Sequence, residues 1–405
     1  MKLAVDLHSH SGYAGGVGQI ELESVSKAMR LKGIEIFGSG DCLFPTRTKE
    51  LQTRLEEKEM GLLSLPKDRN RFILQTEVIF STKIGGYNNK IIAHHVILFP
   101  DFKSIEKMQK LLGKWGMKNT IGRPFITSDS VKDLQIQLED ITSISPLIEI
   151  IPAHVMTPDG ILGSKNNLET MHQFYGDFMP NIRVIETGLS ADPKMLENIP
   201  DLAERTFISN SDCHSDALNR IGREFTVIEL EKFNYKSLIK ALRENRICYT
   251  VEFNPSEGRY FLSGHRANRK GHAGEKFITK RNIDICPICG KKIIMGVKER
   301  CQQLKDEKIS PLPRKFLYLI PLVEVIAHSL RVKSVRSKKV IEMFFEIMKN
   351  YSSEISLWQS NSLQADLHGK VPENTLAEIM AVQNGDFSFD PPGFDGVYGE
   401  LNIKI

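Results

Sequence analysis

The chain has 405 residues, of which 41% are hydrophobic and 26% are charged, a balance typical of a folded globular protein that excludes a disordered chain. No apolar run approaches the roughly 18–20 residues of a membrane span, and no signal peptide follows Met1, so we expect a cytoplasmic protein without a membrane partner. Six cysteines exclude a disulfide scaffold, and the net charge of +4 indicates no partner by itself.

Residues 1–255 alternate short apolar runs with longer helical segments. The runs predict strands at 2–7, 34–37, 72–79, 91–99, 147–151, 182–185 and 206–208. The longer segments predict helices at 22–32, 103–115 and 168–175. This alternation predicts a parallel sheet with right-handed crossovers, and seven strand–helix units favour closure into a barrel.

Two further regions follow the predicted barrel. Residues 256–306 form a basic segment, since 258–300 hold eleven Lys or Arg residues against three acids, together with the pair Cys286 and Cys289. Residues 307–405 begin with apolar residues at helical spacing in 321–330 and 337–349. They end with the Pro/Gly-rich stretch 390–399 and a short terminal strand. We therefore expect three domains, with boundaries near 255 and 306.

Metal-binding side chains recur at nearly every predicted strand of the first region. They are His8, His10, Asp41, Glu77, His94, His95, His154, Glu186, Asp212 and His214. In a parallel barrel the carboxyl ends of the strands converge on one face, and side chains two residues apart, as in His8 and His10, point to the same side. Imidazoles with carboxylates suit Zn, Mn or Fe, and such a centre activates water at neutral pH and neutralises phosphate charge. Any one of these histidines alone is more often a core residue, but the whole set favours a metal centre.

Three motifs resemble those of the PHP (polymerase and histidinol phosphatase) superfamily. They are Asp-Leu-His-Ser-His at 6–10, Pro-Ala-His at 152–154 and Ser-Asn-Ser-Asp-Cys-His at 209–214. The resemblance implies an α/β fold, a distorted (β/α)7 barrel around two or three divalent ions (Zn, Mn or Mg). It implies these ligands: His8, His10, Asp41, Glu77, His94, His154, Asp212 and His214. His94 is preferred to His95 because it precedes the Val-Ile-Leu-Phe-Pro run in the manner of the family histidine. Residues 13–16 depart from many members, which place another His or Asp there.

Further segments look like the endonuclease Q family and cover nearly the whole chain. They are Gly-Arg-Pro at 122–124, Gly-Ser-Lys at 163–165, Glu-Thr-Gly-Leu-Ser at 186–190 with Asp-Pro at 192–193, Ser-Asn-Ser at 209–211 and Pro-Pro-Gly-Phe-Asp-Gly-Val-Tyr-Gly at 391–399. The resemblance implies a DNA repair enzyme that recognises uracil, hypoxanthine, xanthine or abasic sites and nicks the strand 5′ to the lesion. DNA carrying such nucleotides is then the partner, with replication or repair proteins as further partners.

The cysteine pair indicates a structural zinc site in the basic segment. Cys286-x-x-Cys289 supplies half of a tetrahedral site. In the family a Cys/His pair upstream supplies the rest, and His265 matches one of its positions, whereas Asn268 occupies the other. His272 or Cys301 is the alternative ligand, and a redox pair or plain buried thiols are the competing interpretations.

Recognition of a damaged base predicts a pocket that reads a flipped-out nucleotide. Residues near the strand ends are candidates for substrate binding: Arg123, Ser164, Lys165, Glu186, Thr187, Ser209 and Asn210. Arg123 and Lys165 suit phosphate contacts, whereas Ser and Asn at strand ends are equally often turn formers. The basic segment, extended by Arg331, Lys333, Arg336, Lys338 and Lys339, predicts a DNA-binding track, with a solvated surface as the alternative.

These observations predict a metal-dependent endonuclease with Asp212, His154 and His214 as catalytic residues. Asp212 or Asp41 is the expected bridging ligand, and His154 or His214 is expected to protonate the leaving group. Two alternatives remain. One is a PHP-type phosphatase acting on a small phosphomonoester, and the other is a DNA-binding protein with a degenerate metal site.

Overall fold

A computed structural model describes residues 1–15, 18, 20–279 and 283–405. Gly16 of the divergent stretch after His10, and Lys280 and Arg281 of the basic segment, lie outside these described residues. The strands are Lys2–Asp6 (β1), Ile36–Gly38 (β2), Glu56–Glu59 (β3), Leu62–Ser64 (β4), Arg71–Thr82 (β5), Ile91–Phe99 (β6), Phe125–Thr127 (β7), Glu149–Pro152 (β8), Val184–Glu186 (β9), Thr206–Ile208 (β10), Phe225–Glu229 (β11), Ile247–Glu252 (β12), Ser263–His265 (β13), Phe277–Thr279 (β14), Phe316–Tyr318 (β15), Phe387–Phe389 (β16) and Leu401–Ile403 (β17).

Helices alternate with these strands through the first region and dominate the last. They are Leu22–Lys32 (α1), Pro45–Arg54 (α2), Phe102–Lys114 (α3), Val131–Ile144 (α4), His172–Tyr175 (α5), Pro193–Leu196 (α6), Tyr235–Arg243 (α7), Val297–Leu304 (α8), Leu322–Ser329 (α9), Lys338–Met348 (α10), Glu354–Trp358 (α11), Leu363–Leu367 (α12) and Glu373–Asn384 (α13), with a 3-10 helix at Gly176–Asn181. None of them, within the described ranges, is long and apolar enough to cross a membrane. The predicted mixed α/β class is confirmed.

Local sequence explains where the helices beside the sheet begin. The side chain of Asp101 accepts a hydrogen bond from the backbone N–H of Ser104 at the start of α3, and Asn234 does the same for Ser237 at the start of α7. In α3 the buried positions 104, 105, 108 and 112 follow helical spacing and form one apolar face. That face packs into the main core.

The large sheet is mixed, so the prediction of a purely parallel sheet is wrong. The main path runs β15-β12-β11-β1-β2-β5-β4-β3, while β6 and β7 also pair with β5, and β8 pairs with β6. The β5–β6 pair is antiparallel from Leu74 opposite Phe99 to Thr82 opposite Ile91. The connection at 83–90 is a short hairpin loop, and a parallel pair would need a crossover of about a dozen residues or more.

Apolar side chains from nine strands, including Leu62 of β4, meet in one buried cluster. The cluster includes Leu3, Val5, Leu7, Ile36, Ile73, Val96, Leu98, Ile151, Ala153, Val184, Ile208 and Ile228. Side chains of α7 also join it, among them Leu238 and Leu242. This cluster brings the ends of β1, β2, β8, β9 and β10 together. Closure into a seven-unit barrel stays a prediction.

The basic segment attaches to the first region through few apolar contacts. The antiparallel β13–β14 pair lies beside a small cluster of Phe261, Leu262 and Phe394. Helix α8 contributes Val297 and Cys301 to the main core. The segment is thus packed against the rest of the protein by a few apolar side chains, and it has no large hydrophobic core of its own among the described residues.

The C-terminal region has a separate core. Helices α9, α10 and α13 bury Leu322, Ile326, Phe344, Ile347 and Ile379 in it, together with Ile403 of β17. Strand β15 joins the region to the large sheet by pairing in parallel with β12.

Candidate metal centre

The end of β1 is fastened to the segment after β10. The backbone N–H of His10 donates to the carbonyl of Cys213 at 3.0 Å, and Ser9 forms a parallel bridge with Cys213. The Ser9 hydroxyl points away and donates to the carbonyl of Gly38 at 2.6 Å. His8 and His10 therefore face the same side as Asp212, within 3.5 and 3.1 Å of its Oδ1.

Three groups of side chains in this cluster could each hold a metal ion. The groups are His8, His10 and Glu77; His10, Asp212 and His214; and Glu77, His94 and His154, and the ligand atoms in each group lie within 4.8 Å of one another. His10 and Glu77 each belong to two groups, so the three form one continuous cluster. The structure brings together every predicted ligand except Asp41, which belongs to none of the groups.

The chemistry of the cluster fits divalent cations. Among the described residues, Nε2 of His8 and Oδ1 of Asp212, which face each other inside the cluster, are buried without a hydrogen-bond partner, and so are Nδ1 of His10 and Oδ1 of Asp41, which face each other beside it. Buried polar atoms are rarely left unpaired, and imidazole nitrogens with carboxylate oxygens are the ligand set of Zn and Mn. A bound cation would satisfy the two atoms inside the cluster.

Glu186 and Asn210, predicted to bind substrate, form hydrogen bonds next to the cluster, and those of Glu186 reach His8 and His154 directly. Nδ1 of His8 lies 3.0 and 3.1 Å from the two carboxylate oxygens of Glu186, which leaves Nε2 to face the cluster. Asn210 donates to Glu186 at 2.8 Å, and the backbone N–H of His154 donates to it at 2.9 Å. Both residues also line the pocket described below.

Asp41 takes a similar position next to the cluster. Its Oδ2 accepts hydrogen bonds from the backbone N–H and the hydroxyl of Ser11, at 2.8 and 2.6 Å. Its Oδ1 lies 3.5 Å from Nδ1 of His10. Asp41 thus lies beside Nδ1 of His10, whose Nε2 faces Glu77 and Asp212.

Two residues of the cluster, and Asp41 beside it, have left-handed backbone conformations that non-glycine residues rarely adopt. The φ angles are 52° for Asp41, 32° for His154 and 44° for Asp212. Gly188, with φ of 74°, passes so close to His154 that an added Cβ would lie 2.2 Å from the His154 Cβ. Such strain persists only where the surroundings enforce it, and it concentrates at functional sites.

The charges of the cluster attract a cation. Burial opposes protonation of His8, but the carboxylates of Glu186 and Asp212 outweigh burial and raise its pKa to about 9. Burial also works against the ionised carboxylates of Glu77 and Asp212, yet the surrounding histidines hold the pKa of each below its usual range. The pocket therefore favours positive charge, whether as protons or as metal ions.

His94 and His95 point into different surroundings. Nδ1 of His94 lies 2.6 Å from Glu77, whereas Nε2 of His95 lies 2.5 Å from the hydroxyl of Tyr175 in the core. Burial lowers the pKa of His95 to about 3, so it is a neutral core residue.

A pocket of about 440 Å³ opens above the cluster and is lined by four arginines: Arg123, Arg220, Arg223 and Arg259. Arg123 also donates to Glu77 at 3.1 Å, and Arg223 donates from Nε to the carbonyl of Ser211. Guanidinium groups bind phosphate oxygens through paired donors, so this lining suits a phosphodiester. Of these four arginines, Arg123 alone was predicted to bind substrate; the others carry no motif beyond the basic composition around Arg259.

The remaining predicted substrate residues lie elsewhere. Ser164 and Lys165 line a neighbouring pocket of about 770 Å³, where the Ser164 hydroxyl donates to the carbonyl of Met295 and Lys165 pairs with Asp159. Thr187 and Ser209 are buried and donate to Glu252 at 2.9 and 3.1 Å. The basic residues at 331–339 line neither pocket.

The predicted structural zinc ligands form a fourth group: His265, His272, Cys286 and Cys289. Neighbouring ligand atoms are 3.2–3.4 Å apart. Zinc bonds of about 2.0–2.3 Å at tetrahedral angles would place such atoms about 3.3–3.8 Å apart, so the group fits one zinc ion. His272 takes the open fourth position, and Cys301 lies away from the group in the main core.

The fold and this site define an α/β protein with a polynuclear candidate metal centre beside an arginine-lined pocket. No family model matches the sequence. The chain is similar over its whole length to the lesion-specific endonuclease PfuEndoQ of Pyrococcus furiosus, with a TM-score of 0.82, 26% identity and 96% of that chain covered. It is also similar to endonuclease Q in complex with a 27-mer duplex substrate carrying an abasic lesion at the active site, with a TM-score of 0.84, 26% identity and 97% of that chain covered. Both of these similar structures are of endonuclease Q, and the likeness extends over the whole chain.

Two curated relatives are uncharacterized proteins. One, from Methanocaldococcus jannaschii, is 34% identical over 230 residues, which are 54% of this chain and 28% of the relative. The chain thus spans little more than a quarter of the length of that relative. The other, YqxK of Bacillus subtilis, is 24% identical over 416 residues, and 99% of each chain is covered.

Proposed function

We propose that the protein is a metal-dependent DNA endonuclease that acts at uracil, hypoxanthine, xanthine or abasic sites and hydrolyses the phosphodiester 5′ to the lesion. The observation that carries the proposal is the continuous cluster of three ligand groups beneath an arginine-lined pocket. The full-length likeness to two endonuclease Q structures, one of them bound to lesion DNA, supports it. We assign residues 1–255 to a PHP-type barrel, 256–306 to a zinc-binding module and 307–405 to a helical region.

Two or three divalent ions (Zn, Mn or Mg) would be held by His8, His10, Glu77, His94, His154, Asp212 and His214. When bound, they would supply Lewis-acid activation of water and of the phosphate. Arg220 and Arg223, which line the pocket, would bind non-reacting phosphate oxygens. The roles of metal ligand and proton donor exclude each other for one imidazole; His214, with 48% of its side chain exposed, is better placed than His154 to serve as the proton donor in place of a ligand.

Substitution of Asp212 tests the cluster itself. Since Oδ1 of Asp212 faces both His8 and His10, Asp212→Ala removes a ligand from the centre and should abolish nicking of uracil-containing DNA. DNA binding should largely survive, because the arginines of the pocket remain. Asp129→Ala, at a carboxylate whose side chain is 80% exposed, is the matched control and should cut normally. Nicking by Asp212→Ala at the wild-type rate would show that the cluster is not the catalytic centre.

The substrate and cut position are tested with a labelled duplex that carries one uracil, incubated with and without chelator. We expect a nick 5′ to the uracil that disappears on chelation and returns with added Zn, Mn or Mg. Equal cutting of an undamaged duplex would refute lesion specificity. Turnover of a small aryl phosphate without nicking would indicate a phosphatase, and metal-independent DNA binding without either activity would indicate a binding protein.

A further inference from the structure

Arg259 stands where two pockets meet. It lines both the metal pocket and the neighbouring pocket of about 770 Å³, and Tyr260 does the same. The centre of its guanidinium group lies 5.2 Å from the centre of the Tyr260 ring and 5.8 Å from that of Tyr398. The side chain is therefore held by two aromatic rings at the border of the metal pocket.

The hydrogen-bond donors of this guanidinium have no protein acceptor in the described part of the chain. Arg259 forms no ion pair there, and its buried Nε has no hydrogen-bond partner. Leaving such a donor unpaired costs free energy, whereas aromatic contacts with the guanidinium face leave the donors on its edge free. An edge of free donors matches the paired oxygens of a phosphate.

The Pro/Gly-rich segment near the C-terminus builds the second aromatic contact. Phe394 and Val397 exchange two backbone hydrogen bonds, of 3.0 and 2.8 Å, across the turn residues Asp395 and Gly396. The φ angles of these two residues are 41° and 86°, as a type I′ turn requires, and glycine adopts such an angle without strain. Tyr398 follows this turn directly.

The turn is fastened to the basic segment and to Arg259 itself. The carboxylate of Asp395 accepts hydrogen bonds from the backbone N–H of Arg266 and from the side chain of Arg269, each at 2.8 Å. The backbone N–H of Gly396 donates to the carbonyl of Arg259 at 2.8 Å. These bonds fix the position of Tyr398 relative to Arg259.

We propose that Arg259 is a positioning residue that binds a backbone phosphate of the DNA strand where the strand passes from the metal pocket to the neighbouring pocket. Tyr398, held by the Asp395–Gly396 turn, keeps the guanidinium group in the orientation that presents its edge to that phosphate. This inference rests on the proposed endonuclease function. It gives the Pro/Gly-rich segment a direct role in the site, although this segment lies more than 170 residues after His214, the last residue of the metal cluster.

The test measures binding and nicking of the uracil duplex by Arg259→Ala, Arg259→Lys and the wild-type protein over a range of salt concentrations. Arg259→Ala removes one phosphate contact, so the plot of the logarithm of the DNA association constant against the logarithm of the salt concentration should become less steep by about 0.9. Its kcat/KM for nicking should fall roughly tenfold to a hundredfold. Arg259→Lys keeps the charge and should keep the salt slope, but it lacks the planar group and should still lose kcat/KM. Arg30→Ala removes an exposed arginine on α1 and is the matched control, with no change in slope or rate.

Two variants of Tyr398 test the aromatic support without removing the charge. Tyr398→Ala should lower kcat/KM with an unchanged salt slope, and Tyr398→Phe, which keeps the ring, should behave like the wild-type protein. If wild-type protein nicks the duplex and Arg259→Ala keeps both its rate and its salt slope, the role of Arg259 is refuted while the endonuclease function stands. If the wild-type protein nicks no lesion DNA with any metal, the proposed function itself fails.

Discussion

At the scale of single residues, position along a strand decides which of two adjacent histidines reaches the metal cluster. Consecutive residues of β6 point to opposite faces, so His94 approaches Glu77 while His95 enters the core. There the ring of His95 packs edge-on against Phe80, with 4.9 Å between ring centres. The same alternation points the Ser9 side chain away from those of His8 and His10, so both imidazoles face Asp212.

Glu252 is a buried carboxyl group beneath the site. Its Oε2 accepts hydrogen bonds from the hydroxyls of Thr187 and Ser209. Thr187 directly follows Glu186, and Ser209 directly precedes Asn210. Burial, with a smaller contribution from the charge of Asp192, raises the pKa of Glu252 to about 7. Thr187 and Ser209 therefore hold the base of the site together through Glu252.

The pKa of Glu252 predicts a pH-dependent stability. Because the folded-state value of about 7 lies above the ordinary value of 4.5, the folded protein binds the extra proton between these pH values, and stability falls as pH rises through this window. Glu252→Gln removes this penalty and should exceed the wild-type protein in free energy of unfolding by on the order of 3 kcal/mol at pH 8, and by little at pH 5. Urea denaturation at both pH values measures the difference. A constant difference between pH 5 and pH 8 would contradict this assignment, and the exposed Glu139→Gln is the control.

At the scale of secondary-structure elements, the zinc ligands come from a short hairpin and two turns. His265 ends β13, and His272 follows in the connection to β14. The cysteine turn is closed by hydrogen bonds from Cys286 N–H to Lys291 and from Gly290 N–H to Cys286, at 2.8 and 2.9 Å. Because the segment is packed by only a few apolar side chains, a bound ion would contribute much of its folding free energy.

Substitution of the cysteines tests the zinc ligand set. Cys286→Ser should lower the zinc content by one ion per chain, because a thiolate ligand of the tetrahedral group is lost. Cys301→Ala should keep the wild-type zinc content, since Cys301 lies in the main core away from the group. Metal analysis of the purified proteins compares the two. Zinc loss in Cys301→Ala, or none in Cys286→Ser, would overturn the assignment.

At the scale of the whole molecule, a buried ion pair ties the C-terminal region to the first. Nζ of Lys32, the last residue of α1, lies 2.7 Å from Glu354, the first residue of α11, and each side chain is only 4% exposed. Glu354 also accepts the backbone N–H of Leu322 at 3.0 Å, where α9 begins. Across the same interface, the side-chain amide of Gln359 donates a hydrogen bond to the hydroxyl oxygen of Tyr249 in β12 at 3.2 Å. The helical region is thereby held against the sheet that positions the metal cluster.

Removal of one partner of this ion pair should strongly destabilise the protein. Lys32→Met leaves the Glu354 carboxylate buried without its cation and should lower the free energy of unfolding by about 3–5 kcal/mol. The double variant Lys32→Met with Glu354→Gln removes both charges and should recover much of that loss. Lys338→Met, at an exposed pair with Glu342, should change stability by less than about 1 kcal/mol. Denaturant titration of the full chain measures all three, and a single variant no less stable than the double would contradict the prediction.

Much of the first region was predictable from sequence because its signals are local. Each apolar run predicted as a strand contains or overlaps a strand, from β1 to β10, and helix 22–32 coincides with α1. The cluster residues His8, His10, His94, His154, Asp212 and His214 were recognisable as candidate ligands because they occur next to those runs. The antiparallel β5–β6 pair was missed because strand direction depends on the partner strand, although the short loop at 83–90 was the available signal.

The sequence by itself predicted the α/β class, most of the side chains that gather in the cluster and the cysteine turn, since these depend on residue type and on spacing within a few residues. The tertiary structure alone showed that His272 rather than Cys301 lies with His265, Cys286 and Cys289, and that Asp41 and Glu186 lie beside ring nitrogens of His10 and His8. It also brought Arg223, Arg259 and Tyr398 to the pocket. Those side chains come from distant parts of the chain, so their proximity depends on long-range packing that no local pattern records.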